Sequence, residues 1–307
     1  MRVTLIHNPG AGKQDASSAK ALLKMLRREG HKPRYQSAKE RGWARVLDKK
    51  AGLVVVAGGD GTVANVTRHM VGRGVPVAVL PSGTANNIAR SLGLLKRPFE
   101  ELVRGWRDAK RVRLDVGIAC GPWGERYFVE GLGAGLFAGL LVRSEENQAK
   151  REKEKKSKRP KHVVDNALRR LKEAAERDEP VEIAAQLDGV DISGRYLLFE
   201  AVNLPFIGPN LYIAPDNKAG DGQLEVVLVS ESQRGRLVRY LDHWQESRER
   251  LSLLPSRRGK HLQIEWTGFP LHIDDKLRPK QKAEADDVAG LVDVRVNGAA
   301  VEFLTVA

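Results

Sequence analysis

A single carboxylate set among three glycines, Gly58-Gly59-Asp60-Gly61-Thr62, is the stretch of this chain best suited to chemistry. The apolar run Leu53-Val54-Val55-Val56-Ala57 precedes it, and an apolar helical pattern follows at Val63, Val66, Thr67 and Met70. The loop therefore sits where a strand feeds a helix N-terminus, a natural place for phosphate. Glycine lets the backbone approach a ligand with no Cβ in the way. One carboxylate beside phosphate is repulsive unless a cation lies between them. These residue types thus point to a nucleotide carried with Mg²⁺. Asp60 could equally cap the helix that it opens, or do both.

Two further loops have the same character. Asn8-Pro9-Gly10-Ala11-Gly12-Lys13 follows the strand-like Val3–Ile6, and Pro81-Ser82-Gly83-Thr84-Ala85-Asn86-Asn87 follows the strand-like Val75–Leu80. One glycine turn means little, but three at the ends of consecutive strands mean more. In a parallel sheet, ligands bind outside the carboxyl ends of the strands. The first loop is not a Walker P-loop, because Gln14 follows Gly12-Lys13 and the spacing from the earlier glycine is too short. Nor is it a dinucleotide fingerprint, since the third glycine is missing.

These loops need a scaffold, and the first third of the chain supplies an alternating one. A helix is expected over 15–29, stopped by Gly30, a second over 62–71, a third after Ala85 and a fourth over 99–106. Strands alternating with helices argue a mostly parallel sheet with crossover helices. From about residue 112 the pattern changes to short β-like runs separated by turns, at 112–118, 126–130, 181–187, 195–202, 224–229, 261–266, 271–273 and 291–296. That is an all-β pattern, a sandwich or an open barrel. A basic insertion at 143–162 interrupts it and runs into a helix with Val163, Val164, Ala167, Leu168 and Leu171 on one face. Residues 233–251 form another amphipathic helix.

The 307 residues are 41% hydrophobic and 30% charged, enough for a folded core in two ordinary domains. A lone cysteine, Cys120, excludes an intramolecular disulfide. No apolar run reaches the roughly 18 residues of a membrane span, and the short apolar start is no signal peptide. The expected location is cytoplasmic. The net charge of +13 is partly local, since residues 143–172 hold twelve Lys/Arg against five Asp/Glu. Such a surface is either simply solvated or drawn to anionic partners, including anionic membrane.

The three loops together resemble the signature loops of the diacylglycerol kinase catalytic-domain family, which includes bacterial lipid kinases and sphingosine kinases. Gly208-Pro209, Ala214-Pro215 and Asp221-Gly222-Gln223-Leu224-Glu225-Val226 are similar to a later segment of that family, in the same order. The resemblance implies an α/β nucleotide-binding domain over 1–112, joined by the tail 299–307, and an antiparallel β-sandwich substrate domain over 113–298. It implies a site in the cleft between the two domains. In it Asn8, Gly10 and Gly12 would line ATP, Ser37 and Thr84 would contact it, and Gly58, Gly59, Gly61 and Thr62 would pack on its phosphates. Asp60 would hold Mg²⁺, with Asn87 and Asp221 as further metal contacts. Asp274, in Leu271-His272-Ile273-Asp274-Asp275-Lys276, matches the family's general base.

The implied activity is ATP-dependent phosphorylation of a hydroxyl on a diacylglycerol-like or sphingoid-like lipid. The enzyme would be peripheral at the inner membrane surface, with no nucleic-acid partner expected and a homodimer allowed. Departures from the family pattern keep other readings open. Asp275 and Lys276 stand for its glycine and glutamate, Ala64-Asn65 for Asn-Glu, and Asn87 for an aspartate. Asp274 could be only a turn residue. The alternatives are an NAD kinase-like enzyme, which the GGDGT loop alone permits, and a non-catalytic nucleotide- or lipid-binding regulator.

Overall fold

The computed structural model describes residues 1–11, 17–95, 97–151, 160–247, 254–279 and 289–306, with backbone only at 147–151, 160–162 and 299. Gly12, and residues 152–159 of the basic insertion, lie outside the described residues. The chain divides into two compact units. One is Met1–Val116 with Ala219–Asp221 and Gly298–Ala307, and the other is Gly117–Lys218 with Gly222–Asn297.

In chain order, the first unit begins with β1 (Arg2–His7), α1 (Ala19–Arg28), β2 (Lys32–Ser37), β3 (Leu53–Gly58) and α2 (Asp60–Met70). It continues with β4 (Val77–Pro81), α3 (Asn87–Ser91), α4 (Phe99–Gly105) and β5 (Lys110–Gly121), whose last residues belong to the second unit. β1 pairs in parallel with both β2 and β3, and β3 pairs in parallel with β4. Every residue of β3 is buried, as expected of a strand covered on both faces by crossover helices. Because the register is parallel, the carboxyl ends of β1, β3 and β4 fall at one edge: His7 pairs with Ala57, and Gly58 with Pro81. That edge carries all three glycine loops.

β2 differs from the sequence expectation, which left it unassigned. Its residues, Lys32-Pro33-Arg34-Tyr35-Gln36-Ser37, show no apolar alternation. An edge strand needs little of it, because backbone pairing to β1 along its whole length holds it in place.

The second unit contains β6 (Gly124–Phe128), β7 (Gly131–Gly135), α5 (Leu136–Arg151), α6 (Pro160–Arg177), β8 (Val181–Leu187), β9 (Val190–Asp191) and β10 (Gly194–Val202). After these come β11 (Phe206–Ile207), β12 (Leu211–Tyr212), β13 (Leu224–Ser230), α7 (Arg234–Glu246), β14 (Ser256–Gly259), β15 (His261–Trp266), β16 (Leu271–Ile273), β17 (Lys276–Arg278) and β18 (Gly290–Thr305). Here the pairing is antiparallel: β16 with β7, β7 with β10, β10 with β13 and β8, and β8 with β15. The end of β18 returns to the first unit, where Phe303 pairs in parallel with Val77.

Strand alternation sorts the second unit's interior into two cores. On β10, Phe199 and Ala201 enter the sandwich interior with Phe128, Leu132, Ile264 and Trp266. Leu198 and Val202 point the other way and are covered by α5, α6 and α7 through Phe137, Leu168, Leu171, Leu237 and Trp244. α5 was not foreseen as a helix. Its first residues, Leu136 and Phe137, are buried in that second core, and tertiary packing rather than a long apolar stripe supports it.

Candidate active site

The three loops of the first unit touch. Asn8 Nδ2 donates to Thr62 Oγ1 at 3.1 Å, tying the first loop to the second. Asn8 Oδ1 accepts from Gly10 N at 3.0 Å and so shapes its own turn. Ser82 N donates to Gly58 O at 3.0 Å, tying the third loop to the second. Gly59 and Gly83 then meet backbone to backbone: a Cβ on Gly59 would lie 2.9 Å from Gly83 Cα. Only two glycines fit there. A Cβ on Gly58 would lie 2.7 Å from Thr62 Cβ, so that position too excludes a side chain.

Asp60 opens α2 with Gly59 as the N-cap, yet its carboxylate serves another helix. Asp60 Oδ1 accepts from Ile88 N at 3.0 Å, and the backbone N–H groups of Asn86 and Asn87 also bond it. The carboxylate thus caps α3, at the end of the third loop. Burial pushes its pKa above the ordinary carboxylate value, and those N–H bonds offset part of the rise. A cation near this carboxylate would favour the ionised form. Among the described residues, no three His, Cys, Asp or Glu side chains are grouped as a metal centre. Any divalent ion here would rest on Asp60 together with phosphate oxygens and water, the mode that suits Mg²⁺. The glycine cradle and the N-terminus of α2 fit phosphate by the same reasoning.

The other expected residues fall as follows. Ser37 ends β2, buried beside His7 at the loop-bearing edge, and its Oγ accepts from Lys39 N at 3.3 Å. Gly61 and Thr84 are exposed, and Asn87 is buried. Asp221 belongs to the first unit, where the Cβ space of Gly220 is filled by Arg113 O.

Two residues were missed. Asn86 adopts φ +54°, and its side chain brackets Gly83, accepting from Gly83 N at 2.9 Å and donating to Gly83 O at 2.8 Å. Asparagine is among the few residues that tolerate this conformation, so its place in a glycine-bearing loop was a readable signal. Lys39 lays its Nζ over Gly10, 2.6 Å from where a Cβ would stand. No local pattern announced it.

Asp274 lies in the second unit, in the turn between β16 and β17, at φ +50°. Its Oδ1 accepts from Val129 N at 3.0 Å and from Glu130 N at 2.8 Å, and its own N–H donates to Gly131 O at 2.8 Å. The carboxylate is thereby fixed against the start of β7. Lys276 pairs with Asp275 Oδ2 at 2.9 Å on the exposed surface.

A parallel-sheet unit with three interlocked glycine loops and an antiparallel sandwich are the two parts of the chain that known family models match. Residues 2–119 match the diacylglycerol kinase catalytic domain, and residues 147–277 match the YegS C-terminal NAD kinase beta sandwich-like domain. The chain thus carries a diacylglycerol kinase catalytic domain and a sandwich domain of the YegS C-terminal type. A diacylglycerol kinase of Mycobacterium tuberculosis (strain CDC 1551 / Oshkosh) is 26% identical over 95% of this chain and 94% of its own length. One from Bacillus subtilis (strain 168) is 22% identical over 78% and 77%. Two solved structures from Bacillus anthracis str. Sterne share the fold, each covering 99% of this chain and 96% of the other. Their TM-scores are 0.72 at 21% identity and 0.68 at 18%, the latter a diacylglycerol kinase. Among the described residues no helix is long and apolar enough to cross a membrane.

Proposed function

We propose that this protein is an ATP-dependent lipid kinase acting on a free hydroxyl of a diacylglycerol-like or sphingoid-like lipid. The observation that carries the reading is the contact of Gly59 with Gly83, because it makes one cradle of two loops at the carboxyl edge of a parallel sheet. The diacylglycerol kinase catalytic domain and the curated diacylglycerol kinases similar to the chain support it. Asn8, Gly10 and Gly12 would line the nucleotide, with Ser37 and Thr84 in further contact. Gly58, Gly59, Gly61 and Thr62 would bind the phosphates through backbone N–H groups. Asp60 would hold Mg²⁺, with Asn87 and Asp221 as the other candidate contacts. ATP supplies the phosphoryl group, and catalysis of this kind is mostly positioning and charge neutralisation. Asp274 would accept the proton of the lipid hydroxyl, its carboxylate aimed by the N–H groups of Val129 and Glu130. The basic surface would draw the protein to anionic membrane.

Incubating the purified protein with Mg²⁺, labelled ATP and a panel of diacylglycerols, ceramides and sphingoid bases tests the proposal. Labelled lipid is the expected outcome. Label in NAD, supplied in a parallel reaction, would favour the NAD kinase-like reading. Nucleotide binding with no transfer to any acceptor would leave a regulator.

A further inference from the structure

Beneath the Asp274 turn lies a pair of buried ionisable residues that the nucleotide chemistry does not use. Glu200 on β10 is 0% exposed and His272 on β16 is 3% exposed. They sit on strands either side of β7, where Gly133 pairs with both of them. A Cβ at Gly133 would overlap the Glu200 carboxylate. The missing side chain is what lets the two residues meet across the intervening strand. His272 Nε2 lies 2.9 Å from Glu200 Oε2 and 3.0 Å from Oε1. The Phe137 ring stands with its edge to the imidazole, at 6.2 Å between centroids, and closes the site from the helix side.

The other imidazole nitrogen has a different job. His272 Nδ1 lies 2.9 Å from the backbone carbonyl oxygen of Asp274. A carbonyl only accepts, so Nδ1 carries the proton and donates. The Nε2 contact with Glu200 then needs a second proton between them, on the imidazole or on the carboxyl, so the ring is held by a hydrogen bond at each nitrogen. Burial alone would lower the pKa of His272, but the Glu200 carboxylate more than offsets this and raises it. Burying a charged pair gains little stability over an apolar pair of similar shape, so packing alone does not account for it. The neighbouring backbone does. Asp274 holds φ +50°, which aspartate enters more easily than most non-glycine residues but less easily than glycine, and the imidazole bond to its carbonyl oxygen is one of the contacts that fix the turn.

We propose that Glu200 and His272 are positioning residues for Asp274, holding its turn through the Glu200–His272–carbonyl chain so that the carboxylate keeps one orientation. The proposal rests on the reading of Asp274 as the group that accepts the hydroxyl proton. Its reach is the proton-transfer step and not nucleotide binding.

Kinetics on five folded variants test it, using the lipid that the wild type labels. His272→Phe keeps an aromatic ring and loses both hydrogen bonds, and Glu200→Leu breaks the chain at its other link. Either should lower kcat by about tenfold to a hundredfold, with KM for ATP changed by less than about twofold. His272→Asn, whose amide can donate from near the Nδ1 position, should recover most of the loss. In an Asp274→Asn background, His272→Phe should cause no further loss, because residues acting as one unit are not additive. Equal losses with and without Asp274 would show a merely structural role and overturn the proposal, as would a normal kcat in whichever of the two single variants folds. A normal kcat in Asp274→Asn alone would instead sink the general-base reading, and the positioning role with it.

Discussion

The carboxylate of Asp60 and the N–H of Ile88 are joined by a hydrogen bond of 3.0 Å that spans two of the three candidate phosphate loops. The residue best suited to hold a metal is therefore also the cap of a helix 28 positions further on. Two roles on one side chain can be separated by substitution. Asp60→Asn keeps an oxygen that can accept from Ile88, so its folding should be near normal, while phosphoryl transfer falls by about a hundredfold or more with the charge gone. Asp60→Ala should lose transfer and, in addition, about 1 kcal/mol of stability from the lost cap. Thermal melts beside transfer assays give both numbers. Full activity in Asp60→Asn would remove the metal role.

The same carboxylate sets a pH dependence in the nucleotide-free protein. Burial raises its pKa in the folded state. The native chain then binds this proton at pH values where the unfolded chain has released it. The contribution is present below the unfolded value of about 3.9 and is lost as pH rises through the higher native value. Asp60→Asn lacks this loss, so its stability relative to wild type should improve from pH 4 upward, in chemical denaturation without nucleotide. A constant difference across that range would contradict the burial argument.

The contact between Gly59 and Gly83 makes Gly83→Ala a sharp probe, since the added methyl group meets the Gly59 backbone, which has no side chain to move aside, and the Asn86 carboxamide oxygen. The loops must part for it. KM for ATP should rise by about tenfold or more, and kcat with saturating ATP should suffer less. Gly72→Ala is the control. Gly72 has φ +75° but nothing within 4 Å of its Cβ position, so it should cost about 1 kcal/mol of backbone strain and leave KM unchanged.

Asn86 offers a finer test of the same cradle. Asn86→Gly keeps easy access to φ +54° and loses only the two hydrogen bonds to Gly83. Asn86→Ala loses the bonds and the conformational ease together. Alanine should therefore be the less stable variant by about 1 kcal/mol, and both should raise KM for ATP. Equal melting points would show that the surrounding loop, not residue 86, sets the backbone.

What could be read in the sequence was whatever is encoded locally. The three loops are glycine and polar runs placed directly after apolar strands, and the parallel register then brings them to one edge. An all-β second half was legible from repeated short β runs, and the resemblance narrowed it to a sandwich. The polar edge strand β2 was not, since its stability comes from pairing with β1 and not from its own pattern. α5 was hidden because its apolar residues form a short cluster at one end. The partnership of Glu200 with His272 depends on the register of three strands and an absent side chain at Gly133. Nothing within either segment could announce that, and the Asp60–Ile88 cap was out of sight for the same reason.

The second unit carries a surface charge cluster whose pH response runs opposite to that of Asp60. Asp293 on β18 meets His261, across the pairing with β15, and Arg295 on its own strand. Partial burial alone would raise the Asp293 pKa, but the hydrogen bonds from His261 and Arg295 more than offset it and hold the carboxyl below its ordinary value. A lowered native pKa means that the unfolded chain binds the proton first as the solution is acidified. The stabilisation is therefore complete above the unfolded value of about 3.9 and is lost as pH falls through the lower native value. Both partners are well exposed, at 41% and 64% of their side-chain surface, so water and salt screen the pair and its worth should stay under about 1 kcal/mol. Asp293→Asn should accordingly be slightly less stable than wild type at neutral pH. The two denaturation curves should converge as pH drops below 3.9, and added salt at neutral pH should narrow the gap. A gap that widened on acidification would show that the carboxyl is held high, against the two hydrogen-bond partners beside it.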